Sequence, residues 1–362
     1  MKKSLIALAV VGAFAAPAFA ATSNVDIGGT VNMSVDYLDA DNAAAGGNWN
    51  VSSNASNIYF KGTEDLGGGL KALWQVQTYF SAGGTGNNDT FNGAAPDGVG
   101  SGNTYVGLSG GFGTVLLGKH EAPMKLIGRS VDLFGDQIGD NRNFTTVKVG
   151  ANGAGFDVRP NNTIAYMTPS FNGLTGALAY ATNAADTGAA EDASVDVWSA
   201  SGKYENGPLM VGLGYEIHNL SEANAALKDE KAWRLAAGYV FGDAKVVAFY
   251  QDASDLNGVS GDDVKTWGLG AAYKMGAITL KAQYYDADDR GNTADTGGNM
   301  YALGVDYDLS KRTKVQFAYA ATENDGAGTT YTAFAGGHGD NPNSATGGNN
   351  PNGFSVGVKH TF

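Results

Sequence analysis

Along most of this chain apolar and polar residues alternate one by one, the pattern of strands whose two faces meet different surroundings. Near the start, Val25, Ile27, Val31, Met33, Val35 and Tyr37 fall on one parity, and Asp26, Thr30, Asn32, Ser34 and Asp36 on the other. The last ten residues repeat it, with Phe354, Val356, Val358 and Phe362 set against Ser355, Lys359 and Thr361. This texture predicts sixteen strands, at residues 25–37, 56–65, 70–80, 103–109, 113–119, 161–168, 174–181, 195–204, 209–218, 231–240, 244–252, 263–274, 277–286, 299–309, 314–322 and 353–362. Most have roughly the 9–11 residues that a tilted strand needs to cross a bilayer.

The connections alternate in length. Short ones (65–69, 110–112, 169–173, 205–208, 241–243, 275–276, 310–313) are interleaved with long ones rich in Gly, Asn, Asp, Ala and Thr (38–55, 81–102, 120–160, 182–194, 219–230, 253–262, 287–298, 323–352). The pattern predicts an all-β chain: a 16-stranded antiparallel transmembrane β-barrel with long external loops. Hydrocarbon offers no water to free backbone groups, so the sheet must close on itself. Tyr37, Tyr79, Phe80, Tyr239, Phe241, Tyr273, Tyr284, Tyr307 and Phe362 lie near strand ends, where interfacial aromatic girdles form. A soluble sandwich needs a dry interior, and one parity here is too polar for that.

The alternation stops from Lys119 to Arg159. An insert this long within a regular β pattern is disordered or functional, and the expectation is that it folds inward and sets the bore of a channel. Asp132, Asp136 and Asp140 recur at intervals of four, flanked by Arg129, Arg142 and Arg159, with Glu121 near the start.

The ends and the composition set the compartment. Lys2 and Lys3, the apolar run Leu5 to Ala16 and the small residues around Ala18-Phe19-Ala20 make residues 1–20 a cleavable signal peptide, leaving 21–362 as the barrel domain. No later stretch has the ~18 apolar residues of a spanning helix. Cysteine is absent, glycine numbers 54, and only 16% of residues are charged. The formal charge is −13, with 23 basic against 36 acidic residues, and becomes −15 once Lys2 and Lys3 leave. That disfavours nucleic acid as a partner.

An enzyme is the contrasting reading, since some outer-membrane barrels hydrolyse substrates. His120, His218, His338 and His360 are widely separated, and no Gly-x-Ser-x-Gly elbow or metal-spaced His pair occurs. No catalytic residue, cofactor or metal is therefore expected, and Asp286 to Gly291 lacks the spacing of a calcium loop. A substrate-selective channel for a sugar, organic acid or peptide is a further alternative. It would need an aromatic slide, for which Tyr59, Tyr79 and Tyr285 are the candidates on the inner parity.

Local sequences carry a resemblance. The run from Ser56 to Leu70 (SNIYFKGTEDLGGGL) resembles the second strand and turn of the Gram-negative general porins of the neisserial and β-proteobacterial type. Tyr105-Val106-Gly107-Leu108 with Gly113 to Lys119, and Asn162 to Tyr166 with Pro169 and Phe171-Asn172-Gly173, are similar to that family's fourth, fifth and sixth strands. Phe362 resembles its C-terminal aromatic, which implies recognition by the barrel-assembly machinery.

The resemblance implies a homotrimer in outer-membrane lipid and lipopolysaccharide, each barrel a water-filled channel for ions and small hydrophilic solutes. It also implies a third loop folded inside, facing basic residues on the wall. Carried over residue by residue, Lys119 and Arg159 stand at basic wall positions, whereas Asn57 replaces a usual Arg and Gln77 a usual Glu. The expected loop side is Glu121, Asp132, Asp136 and Asp140. The expected wall side is Lys61, Lys119 and Arg159, with Lys281 and Lys314 as further candidates, and Arg142 is free to pair within the loop. Strict alternation puts Lys119 on the parity of Val115 and Leu117, so an inward Lys119 requires a bulge. With one wall Arg lost and a net −15, the expected ion preference is near-neutral to cation-leaning.

Overall fold

A computed structural model describes residues 23–42, 46–81, 98–147, 155–182, 195–326, 331–339 and 347–362; the expected signal peptide lies outside them. The strands are β1 (Ser23–Asp39), β2 (Gly47–Ser53), β3 (Asn57–Gly67), β4 (Leu70–Tyr79), β5 (Thr104–Gly110), β6 (Gly113–Lys119), β7 (Thr163–Met167), β8 (Leu174–Ala181) and β9 (Val197–Asn206). They continue with β10 (Leu209–His218), β11 (Glu230–Phe241), β12 (Ala244–Ser254), β13 (Val264–Met275), β14 (Ile278–Ala287), β15 (Gly298–Asp308), β16 (Thr313–Asn324) and β17 (Asn352–Thr361). Apart from β2 and β3, which both pair with β1, each strand pairs antiparallel with its sequence neighbour, and β1 pairs with β17 from Thr30↔Thr361 to Asp39↔Asn352, which closes the barrel.

β2 falls in what the alternation assigns to a loop. It continues the second stave: β2 pairs with the upper half of β1 and β3 with the lower half, so the barrel has sixteen staves. The break at Asn54 to Ser56, with Ala55 at φ 52°, is bridged by Ser56, whose Oγ accepts from Asn32 N–H at 3.0 Å and donates to Asn32 O at 3.1 Å. A side chain there stands in for the missing ladder bond.

The burial pattern is that of a membrane barrel. Along β11 the small and polar residues Ala232, Arg234 and Ala236 are buried inside, while Trp233 and Leu235 are exposed outside. Leu213, Leu269, Leu303 and Val358 belong to the same outward apolar band. Tyr37, Trp49 and Phe354 pack together towards the rim with the long loops, their ring centroids 5.3–5.6 Å apart. Tyr79 does not belong to a girdle: it is paired with Asn57 in the register and lines the lumen. Phe362 exchanges two backbone hydrogen bonds with Gly29, both 3.1 Å, which stitches the C-terminus to the first strand.

Part of the lumen is filled. The segment after β6 carries two short helices, α1 (Pro123–Arg129) and α2 (Arg142–Thr145), and packs against the inner wall from β9 to β16. Met124, Ile127, Val131, Phe134, Ile138, Phe144 and Phe156 form its apolar underside, set on wall residues such as Ala236, Phe249, Ala302 and Ala320. The wall is hollowed for it. A Cβ on Gly214 would lie 2.7 Å from Met124, one on Gly212 2.9 Å from Ile127, and one on Gly304 2.8 Å from Phe134.

Candidate functional site

The inward loop is built as a rigid piece. Pro123 opens α1, where its missing N–H costs nothing, and the next free helix donor, Met124 N–H, is taken by Ser199 Oγ of the wall at 3.0 Å. Gln283 on β14 clamps the middle: its Nε2 donates to Gly139 O at 2.6 Å and Asp132 Oδ1 at 3.2 Å, and its Oε1 accepts from Leu133 N–H at 3.0 Å. Arg234 on β11 clamps the far limb through Asp157 and also donates to Gln251 Oε1 at 2.6 Å. A third brace comes from residues 331–339 of the last long loop. Ala333 O accepts from Gly139 N–H at 2.7 Å, and Tyr331 stacks on Phe144 at 4.4 Å.

Two polar cavities lie between this loop and the wall. One, of about 200 Å³, is lined by Asn57, Gln77, Tyr79 and Asn103 on the wall side and by Glu121, Arg129, Asp136, Arg142 and Arg159. The other, of about 270 Å³, lies between Arg129, Asp132 and Gln137 of the loop and Lys281, Asp306, Lys314, Gln316 and Lys359 of β14 to β17. Arg129 borders both.

Asp136 and Asp140 pair within the loop and not with cations of the wall. Asp136 accepts from Arg142 at 2.7 Å and Arg129 at 3.3 Å, and Asp140, fully buried, accepts from Arg142 at 2.6 Å. The loop therefore supplies both signs, and Asp140 lines neither cavity. Burial raises the carboxyl of Asp136, but Arg129 and Arg142 override it and hold that group well below the usual carboxylate range. Glu121 sits between Lys125 at 3.3 Å and Arg159 at 3.1 Å; burial opposes its charge and these two cations outweigh it, so it too is held low. Arg159 also donates to Tyr79 OH at 2.9 Å and lies 5.1 Å from that ring.

Two expected wall cations stand elsewhere. The β5–β6 register runs without a shift from Gly110↔Gly113 to Thr104↔Lys119, so the bulge that would turn Lys119 inward is not there, and Lys119 lines neither cavity. Lys61 is on the inner parity, opposite Asp26 and Gln75, but four residues beyond Asn57, roughly 13 Å towards the short-turn end. The tyrosine candidates form no row: Tyr59 lies beside Lys61, and Tyr285 is buried beneath the loop, its hydroxyl accepting from Asn141 Nδ2 at 3.1 Å.

The charge at the narrow arc is thus Arg129, Arg142, Arg159, Lys281, Lys314 and Lys359 against Glu121, Asp132, Asp136 and Asp306. Lys359, Asp306, Gln283 and Arg234 were not singled out by spacing. All four lie on the polar parity of their strands, and Arg234 in particular stands between Ala232 and Ala236 on a face that excludes large apolar residues.

Comparison with known proteins bears on this arrangement. A family model described as Gram-negative porin matches residues 7–327. Outer membrane porin protein 32 of Delftia acidovorans is 34% identical over 266 residues, 72% of each chain. Major outer membrane protein P.IB of Neisseria meningitidis serogroup B is 31% identical over 66% of each. Among solved structures, an anion-selective porin from Comamonas acidovorans superposes with a TM-score of 0.77 at 29% identity, covering 94% of this chain and 100% of that one.

Proposed function

The chain belongs to the Gram-negative porin family and is an outer-membrane porin, and from that premise we propose that it is a general diffusion channel whose constriction prefers anions. Family and fold point to a channel rather than an enzyme. The observation that carries the preference is the local charge count at the inward loop, six cationic side chains against four acidic ones. Field lines inside a low-dielectric wall are set by the groups that border the water, so this ring outweighs a net charge spread over the whole chain. The near-neutral to cation-leaning preference expected from the net charge and the Arg missing at Asn57 gives way to an anion preference on that ground. The loop residues Glu121, Asp132 and Asp136 temper the field, and Arg129, Arg142, Arg159, Lys281, Lys314 and Lys359 set its sign.

The same reading includes a homotrimer, outer-membrane lipid and lipopolysaccharide around the outward apolar band, and the barrel-assembly machinery acting on Phe362. Purified protein in a planar bilayer tests the whole: conductance steps arriving in threes with a reversal potential of anion sign support it. A folded protein that does not conduct overturns it.

A further inference from the structure

Each acidic side chain lining the two cavities has a cationic partner except one. Glu121 is held by Lys125 and Arg159, Asp136 by Arg129 and Arg142, and Asp306 by Lys281 at 3.0 Å and Lys314 at 3.5 Å. Asp132 forms no ion pair among the described residues. Its Oδ1 accepts from Phe134 N–H at 2.9 Å and from Gln283, while its Oδ2 is buried with no hydrogen-bond partner. Asp132 borders the cavity of about 270 Å³, space on the order of nine waters at ~30 Å³ each. Gly135, which has no side chain, borders the same cavity; a Cβ there would sit 3.5 Å from Asp132 Oδ2 and 3.8 Å from Arg129 Nη2.

We propose that Asp132 is a proton-operated specificity residue: neutral in acid it leaves the cationic excess around the two cavities at full strength, and ionised at higher pH it offsets part of that excess and weakens the anion preference. This rests on the channel reading above. The groups around Asp132 are Asp140, Arg129 and Arg142 from the loop, Lys281 and Tyr285 from β14, and Asp306, Lys314 and Lys359 from the next three strands. The arginines are engaged by Asp136 and Asp140, and Lys281 by Asp306, so the cations close by are already committed to other carboxylates. Burial, reinforced by the Asp140 charge, pushes the Asp132 carboxyl up to about 7. A charge bordering the constriction acts on a passing ion at short range. One unit at several ångströms in a water-like medium changes ion occupancy by about threefold.

The test is the reversal potential of the wild-type channel and Asp132→Asn across a salt gradient at about pH 5.5 and about pH 8.5. Wild type is expected to show an anion-to-cation permeability ratio about threefold higher in acid, and Asp132→Asn to keep the acid value at both. His120→Asn, which removes an imidazole at the start of the same loop, is expected to keep the wild-type response. Asn retains the Oδ1 acceptor, so the variant should assemble; if it does not, Asp132→Ala predicts the same flat profile. A wild-type ratio that ignores pH, or a response that survives in Asp132→Asn or disappears in His120→Asn, overturns the proposal. A channel that prefers cations at every pH yet shifts with Asp132 would sink the anion reading and leave this one standing.

Discussion

Arg234 and Asp157 form a buried ion pair in which Nη1 donates to Oδ1 at 2.8 Å, joining the eleventh strand to the returning limb of the inward loop. Arg234 is completely buried, and its guanidinium also holds Met124 O and Thr145 O, so a single wall residue fixes both limbs. Removing one partner of such a pair strands the other charge, at a cost of roughly 3–5 kcal/mol. Arg234→Ala is predicted to leave the barrel assembled and to unseat the loop. Single channels should then be larger and noisier; unchanged, quiet channels would show that the loop is held by its apolar underside alone.

Gly337 marks where the last loop meets the third. Its φ is 109°, and a Cβ on it would lie 2.3 Å from Arg142 Nη2 and 2.7 Å from Asp136 Oδ1. Gly337→Ala combines that collision with backbone strain of about 1–3 kcal/mol, and the predicted result is a displaced last loop and a raised conductance. Gly276→Ala is the control: φ there is also positive, at 61°, but nothing lies within 4 Å, so conductance should not move.

The two faces of the wall predict opposite tolerance. Leu269 is outward and 54% exposed to what the apolar band assigns as lipid. Leu269→Arg should lower unfolding stability in lipid by about 2–4 kcal/mol. Gln75→Arg, on the inner parity opposite Lys61 and Tyr105, should cost far less and shift ion preference instead. Equal losses measured by denaturant unfolding in vesicles would contradict the assignment of faces.

Arg159→Gln removes one cation from the smaller cavity. Lys125 still lies 3.3 Å from Glu121, so that carboxylate stays ionised and the local balance falls by a full charge. The permeability ratio for anions should drop by about threefold. A ratio unchanged from wild type would place Arg159 outside the path of the ions.

The barrel was readable because its rule is local. One face of each stave meets hydrocarbon and the other water, so Trp233 and Leu235 alternate with Ala232 and Arg234 however the strands are joined. β2 escaped because Ser56 repairs a ladder break that sequence shows only as a Ser-Asn-Ala-Ser run among loop-like residues. The site was legible in position but not in pairing. Three Asp residues at four-residue spacing point to a loop with a job, yet which of them is neutralised depends on Arg129 and Arg142 turning back along the same loop. Contacts between residues far apart in sequence, such as Gln283 with Asp132 or Gly337 with Arg142, leave no trace in local spacing. Lys119 shows the reverse error: family position suggested an inward side chain, and the unbroken register did not provide the bulge it required.

The central claim is that the charge bordering the constriction, and not the charge of the chain, sets what passes. The most direct measurement is the zero-current potential of the wild-type protein in a planar bilayer under a potassium chloride gradient at neutral pH. The account predicts the sign of an anion-preferring pore, despite a chain with a formal charge of −13. A potential of cation sign, from a channel that still opens in threes, would contradict it.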